Sequence, residues 1–164
     1  MKKGFTLIEI LFSISIIGIL SSAGIAAYVK FNQKQILIQT TQKIVQDLRL
    51  AQSLANNNQK PDKCGDSSLY GYIFTLFNNG ENWRYKISSD CGSVDELAPD
   101  SDPPFVNLPS TFDFIPSAWT VKFKVLKRGV EFIPAGKDSL EVRAFNQSRI
   151  IKIDEGGAIN IISP

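Results

Sequence analysis

Residues 1–29 read MKKGFTLIEILFSISIIGILSSAGIAAYV, two lysines and a glycine ahead of an apolar run that carries one acid, Glu9. Positive residues stay on the cytoplasmic side of a membrane while the apolar residues after them enter the bilayer, so Lys2 and Lys3 mark the inner flank. The stretch from Phe5 to Val29 exceeds the roughly 20 apolar residues that cross a bilayer core, which predicts a transmembrane helix with the rest of the chain on the outer side. A carboxylate in such a helix costs on the order of 2.5 to 3.5 kcal/mol, and a residue that expensive has a partner. No Lys or Arg lies within the span. Cleavage after Gly4 would create one, because the new α-amine of Phe5 would be cationic at neutral pH. The amine and Glu9 lie about one helical turn apart, so in a bundle of identical helices the amine of one chain could meet Glu9 of the next.

Gly4, Phe5, Thr6, Leu7, Ile8 and Glu9 resemble the class III signal of type IV pilins and type II secretion pseudopilins. The resemblance implies that a prepilin peptidase and N-methyltransferase cuts after Gly4 and methylates Phe5. It makes Glu9 the carboxylate that guides docking onto other pilin or pseudopilin subunits at an inner-membrane assembly platform. The motif is specific, since it combines a basic flank, a glycine, an aromatic and an acid at fixed spacing in an apolar segment. The competing reading is an ordinary secretory signal cut near Ser22-Ala23-Gly24. An h-region of about 7 to 15 residues carries no charge, and here Glu9 sits inside a run that continues well beyond that length.

The chain has 164 residues and no histidine. Residues beyond the first helix suffice for one domain with one core. Lacking His, the chain has no Ser/His or Cys/His dyad and no His-ligated zinc, and it shows no G-x-S-x-G nucleophile motif, so its reading is not enzymatic. No cofactor is implied. Lys+Arg total 18 against 16 Asp+Glu, and Lys2 and Lys3 leave with the leader, so the mature side-chain charge is zero. A neutral protein offers no global attraction to nucleic acid or anionic lipid. Cys64 and Cys91 both fall on the outward side, where an oxidising compartment favours a disulfide between them over two free thiols.

Beyond Val29 the pattern turns amphipathic with no proline before Pro61, and the helix is predicted to continue to about Asn56, roughly 75 to 80 Å at 1.5 Å per residue. Leu37, Ile44, Leu48, Ala51 and Ala55, widened by Val45 and Leu54, form a stripe suited to covering a sheet. Asn56 to Pro61 ends it. Leu69 to Phe77, the turn Asn78-Asn79-Gly80 and Trp83 to Ser88 read as a hairpin. Ser89 to Ser117 holds five prolines and reads as a long loop with a short extended piece at Thr111 to Ile115. From Trp119 onward, turn signals every eight to twelve residues predict an antiparallel meander ending in a strand over Ala158 to Ile162.

The fold class is therefore α+β: a long N-terminal helix packed on a C-terminal antiparallel sheet, which the resemblance implies is the lollipop of pilins. Residues 1–4 are a leader, 5–29 the transmembrane and filament-core helix, 30–57 the amphipathic helix and 58–164 the β-rich head. Leu48 to Ala55 and the tail Arg149 to Ile153 with Gly156-Gly157-Ala158-Ile159 resemble the GspH/FimT-type minor pseudopilins and minor pilins. The function this implies is that of a minor pilin or pseudopilin in a type II secretion pseudopilus or type IV pilus. The alternative is a pilus subunit that binds DNA or a surface.

Two further clusters invite chemistry. Asp95, Glu96, Asp100 and Asp102 supply hard oxygen ligands suited to Ca²⁺, but their spacing fits no EF-hand loop, and a solvated acidic loop is the stronger reading. Lys122, Lys124, Lys127 and Arg128 would line one strand and its turn and could meet DNA phosphates. FimT-like relatives that bind DNA have an arginine-bearing C-terminal tail. This sequence ends Asn160-Ile161-Ile162-Ser163-Pro164 without one, which favours a solvated strand face. Trp83 and Trp119 are expected in the core or at a subunit contact.

Overall fold

The computed structural model describes residues 4–92, 105–127 and 129–162, with the side chains at 22, 23, 26 and 127 outside the description. One helix, α1, runs Leu7–Asn56. The chain forms two compact units, Met1–Ile36 and Leu37–Pro164.

In the first unit the large apolar side chains from Phe5 to Phe31 are exposed, Leu7 at 79% and Ile19 at 71%. An all-apolar helix surface of this kind is not stable in water and belongs against lipid or other helices. Among the described residues no helix is long and apolar enough to cross a membrane.

In the second unit the stripe read from the sequence is the buried face of the helix: Leu37, Ile44, Val45, Leu48, Ala51 and Ala55 are all buried. Thr41 is buried with them and donates its hydroxyl to the Leu37 carbonyl at 2.8 Å, so it brings no orphan polar group into the core. The helix ends where Asn58 takes a left-handed φ of 48°. Gln59 N–H donates to the Leu54 carbonyl and Asn58 N–H to that of Ala55, the paired bonds that satisfy the last helical carbonyls.

Nine strands follow among the described residues: β1 Gly71–Asn78, β2 Trp83–Asp90, β3 Val106–Asn107, β4 Asp113–Ile115, β5 Ala118–Lys124, β6 Val130–Ile133, β7 Ser139–Ala144, β8 Gln147–Ile153 and β9 Ile159–Ile162. They form two antiparallel sheets, ordered β3-β2-β1-β5-β6 and β4-β7-β8-β9. The single meander expected from Trp119 onward is thus divided. β5 and β6 extend the first hairpin, with β5 paired along β1 (Phe74 opposite Val121), whereas β7 pairs with β4, Val142 opposite Phe114. Pro134 follows β6 and brings no ladder donor, and the turn after it sends the chain to the second sheet. Within the stretch read as a long loop, Val106 and Asn107 pair with Tyr85 and Arg84.

Aromatic rings join the layers. Phe74 stacks on Tyr85 at 5.0 Å between centroids and meets Trp119 edge-on, while Trp83 of the first sheet packs on Phe114 of the second at 4.9 Å. Both tryptophans are buried, and Trp119 Nε1 donates to the Lys137 carbonyl at 2.8 Å. Two polar bonds pin the helix: Tyr85 Oη donates to the Asp47 carboxylate at 2.5 Å, and Gln52 Nε2 donates to the Gly157 carbonyl at 2.7 Å.

Burial, then the hydrogen bond to Asp47 and its charge, raise the Tyr85 phenol above its ordinary value near 10. A phenol held protonated in the folded state contributes stability that is complete below the unfolded value and is lost as pH rises above it. Tyr85→Phe should destabilise the second unit by about 1 to 3 kcal/mol at neutral pH, read by urea unfolding. It should also flatten the decline of stability above pH ~10.

Candidate functional site

The chemistry-bearing residues of the N-terminus sit where extended chain becomes helix. Gly4, Phe5 and Thr6 are non-helical, and Phe5 is 81% exposed. Thr6 caps the helix: its carbonyl accepts the N–H groups of Glu9 at 3.1 Å and Ile10 at 3.3 Å, and its Oγ1 accepts the Glu9 N–H at 3.4 Å. Threonine at the cap with glutamate three positions on is half of a capping box, a signal that the sequence carries as Thr-x-x-Glu. The Glu9 carboxylate makes no hydrogen bond or ion pair among the described residues. Its backbone is spoken for while its side chain is left exposed on an apolar helix.

Ser13 and Ser15 donate their hydroxyls to the carbonyls of Glu9 and Leu11, each at 2.8 Å. These two hydroxyls are therefore satisfied within the helix, as an environment without water requires. The Glu9 carboxylate is not.

Cys64, closing the short 3-10 turn Asp62–Cys64, is bonded to Cys91 just past β2, with Cα atoms 5.6 Å apart. The bridge ties the exit of the helix to the far end of the first hairpin. Closing a loop with a sequence separation of 27 is worth about 3 to 4 kcal/mol in the chain-entropy picture. Beside it, an apolar cleft of about 470 Å³ runs between α1 and β2, lined by Leu50, Leu54, Pro61, Tyr72, Ile87 and Val106. The carboxylate in its wall, Asp47, is the one bonded to Tyr85.

Of the four basic residues, the two whose side chains are described each pair with an acid of the fold. Lys122 pairs with Asp90 two strands away, reaching across β1 at Gly71. A Cβ at Gly71 would collide with the Phe123 carbonyl oxygen, so the close approach of β5 to β1 there requires glycine, and the Lys122 chain passes at ordinary contact distance. Lys124 pairs with Glu131 on β6 at 3.4 Å. The Lys127 side chain and Arg128 lie outside the described residues, as do Asp95, Glu96, Asp100 and Asp102. Among the described residues no group of three His, Cys, Asp or Glu could hold a metal ion.

Residues 1–25 match the prokaryotic N-terminal methylation motif. The chain therefore carries a type IV pilin-like prepilin signal, and such a signal implies processing by a prepilin peptidase and assembly with other pilin subunits. No curated protein and no solved structure matches the chain.

The two lysine pairs differ in burial, which gives them different expected roles. Lys122 and Asp90 are 23% and 14% exposed at the side chain, against 41% and 49% for Lys124 and Glu131. Lys122→Ala should cost about 1 to 3 kcal/mol by leaving Asp90 without its counter-ion. Lys124→Ala should cost less than about 1 kcal/mol. Neither should weaken DNA retention at physiological salt; phosphate-reading lysines would show the reverse, little stability change and a smaller salt dependence.

Proposed function

We infer that the chain is a minor pilin or pseudopilin of GspH/FimT type, a structural subunit of a type II secretion pseudopilus or type IV pilus. In this reading residues 1–4 are a leader, 5–29 hold the subunit in the inner membrane until assembly, 30–57 pack on the head, and 58–164 form that head on the outer side. The prepilin peptidase and N-methyltransferase removes the leader after Gly4 and methylates Phe5. The assembly platform then passes the subunit to the filament, where Glu9 meets the Phe5 amine of a neighbouring subunit.

The observation that carries the reading is the methylation motif over residues 1–25. It falls on a chain whose Gly4 and Phe5 are exposed and non-helical immediately ahead of the helix. Exposed apolar side chains from Leu7 to Phe31 support storage in lipid followed by burial among other helices. An oxidising compartment for the head suits the Cys64–Cys91 bridge.

Mass spectrometry of protein from its own host should give a mature N-terminus at Phe5 bearing one added methyl group. An N-terminus near Ile25, or an intact Met1, would refute the assignment.

A further inference from the structure

Among the described residues nothing requires glycine at position 4, since a Cβ there would meet none of their atoms within 4 Å. A glycine requirement at cleavage would thus belong to the enzyme that grips it, and what the chain must supply is the Gly4–Phe5 bond in a form that can be gripped. A peptidase takes its substrate as an extended strand, because a helical segment hides one edge of its backbone in i to i−4 bonds. Helix α1 starts at Leu7, two residues beyond that bond, and it starts there because Thr6 supplies both the carbonyl and the Oγ1 that accept the first helical N–H groups.

We propose that Thr6 is a positioning residue for leader removal: by capping α1 it stops the helix short of the Gly4–Phe5 bond and keeps that bond in non-helical chain. The inference rests on the processing reading above and adds to it the residue that sets where the cut can fall. Cleavage adds water across the Gly4–Phe5 peptide bond, leaving a carboxylate on Gly4 and the amine on Phe5. Thr6 touches neither product group through its cap, so its effect is exerted through the helix boundary.

Removing the cap should move that boundary toward the N-terminus. Alanine at position 6 is the strongest helix former, and the next residue upstream able to cap is Gly4, since glycine ranks close to threonine at an N-cap. The helix would then include Phe5, with the scissile bond at its first position. The first intrahelical amide would become that of Ile8, bonded to the Gly4 carbonyl.

The test uses the full chain in detergent micelles with a purified prepilin peptidase, following loss of residues 1–4 by mass, together with amide hydrogen exchange at Ile8. Thr6→Ala should be cut about three- to tenfold more slowly than wild type, the range a lost cap implies, and its Ile8 amide should exchange more slowly. Thr6→Ser and Thr6→Asn, which keep a capping oxygen, should restore both the rate and the exchange. Wild-type cleavage of Thr6→Ala, or an unchanged Ile8 amide, overturns the proposal. Slow cleavage of Thr6→Ser as well overturns it in favour of direct contact between the enzyme and the threonine methyl. A wild-type chain that is never cut after Gly4 fails the processing reading itself, and the role of Thr6 falls with it.

Discussion

An apolar helix surface that its own chain does not cover sets the terms for the rest of the molecule. From Leu7 to Phe31 the large side chains stand exposed, and at roughly 25 cal/mol per Å² of apolar surface their transfer out of water is a large driving force. Lipid can supply that cover, and so can a sheath of similar helices. The two differ in what they offer Glu9, because lipid has no counter-ion and a neighbouring mature subunit has an amine. On the docking proposed above, a side chain that is costly in the first setting and paired in the second would drive transfer from one to the other. The serines fit the same constraint, since Ser13 and Ser15 already satisfy their hydroxyls on the helix backbone and add no further polar demand.

The second unit meets the opposite requirement, that of a domain that buries its apolar side chains within itself. Its core is an aromatic seam, Tyr85, Phe74 and Trp119 under the helix and Trp83 on Phe114 between the sheets. Its polar contacts are fasteners of secondary structure: Tyr85 to Asp47, Gln52 to Gly157, Lys122 to Asp90. The disulfide adds a covalent tie at the point where the helix gives way to strands. Each of these polar contacts joins two different elements of the unit, so its cost of desolvation is repaid in fixing the fold.

The helix was legible because its signals are local. The stripe from Leu37 to Ala55, the stop at Asn56 to Pro61 and the first hairpin's Asn78-Asn79-Gly80 turn are all written in adjacent residues. Strand pairing was not, because alternation says which residues are strand and is silent on which strand is beside which. Hence Trp119 to Ile162 reads as one meander, although β4, a three-residue piece in a proline-rich stretch, recruits β7 into a second sheet. The ion pairs were hidden for the same reason: Lys122 finds Asp90 only once β5 and β2 flank β1 at Gly71. At the N-terminus the signal residues were legible through their resemblance to the class III signal, and the cap made by Thr6 is written locally as Thr-x-x-Glu.

Assembly through the first helix is tested most directly by Glu9→Gln, scored as the amount of subunit in sheared filaments or in crosslinks to other pilins relative to the membrane pool. Removing the charge lowers the cost of residence in lipid, so the variant should insert, accumulate and be cut after Gly4. It should nevertheless be depleted from filaments, since losing one member of a buried charge pair costs about 3 to 5 kcal/mol. Wild-type levels of Glu9→Gln in the filament fraction would contradict docking through this carboxylate.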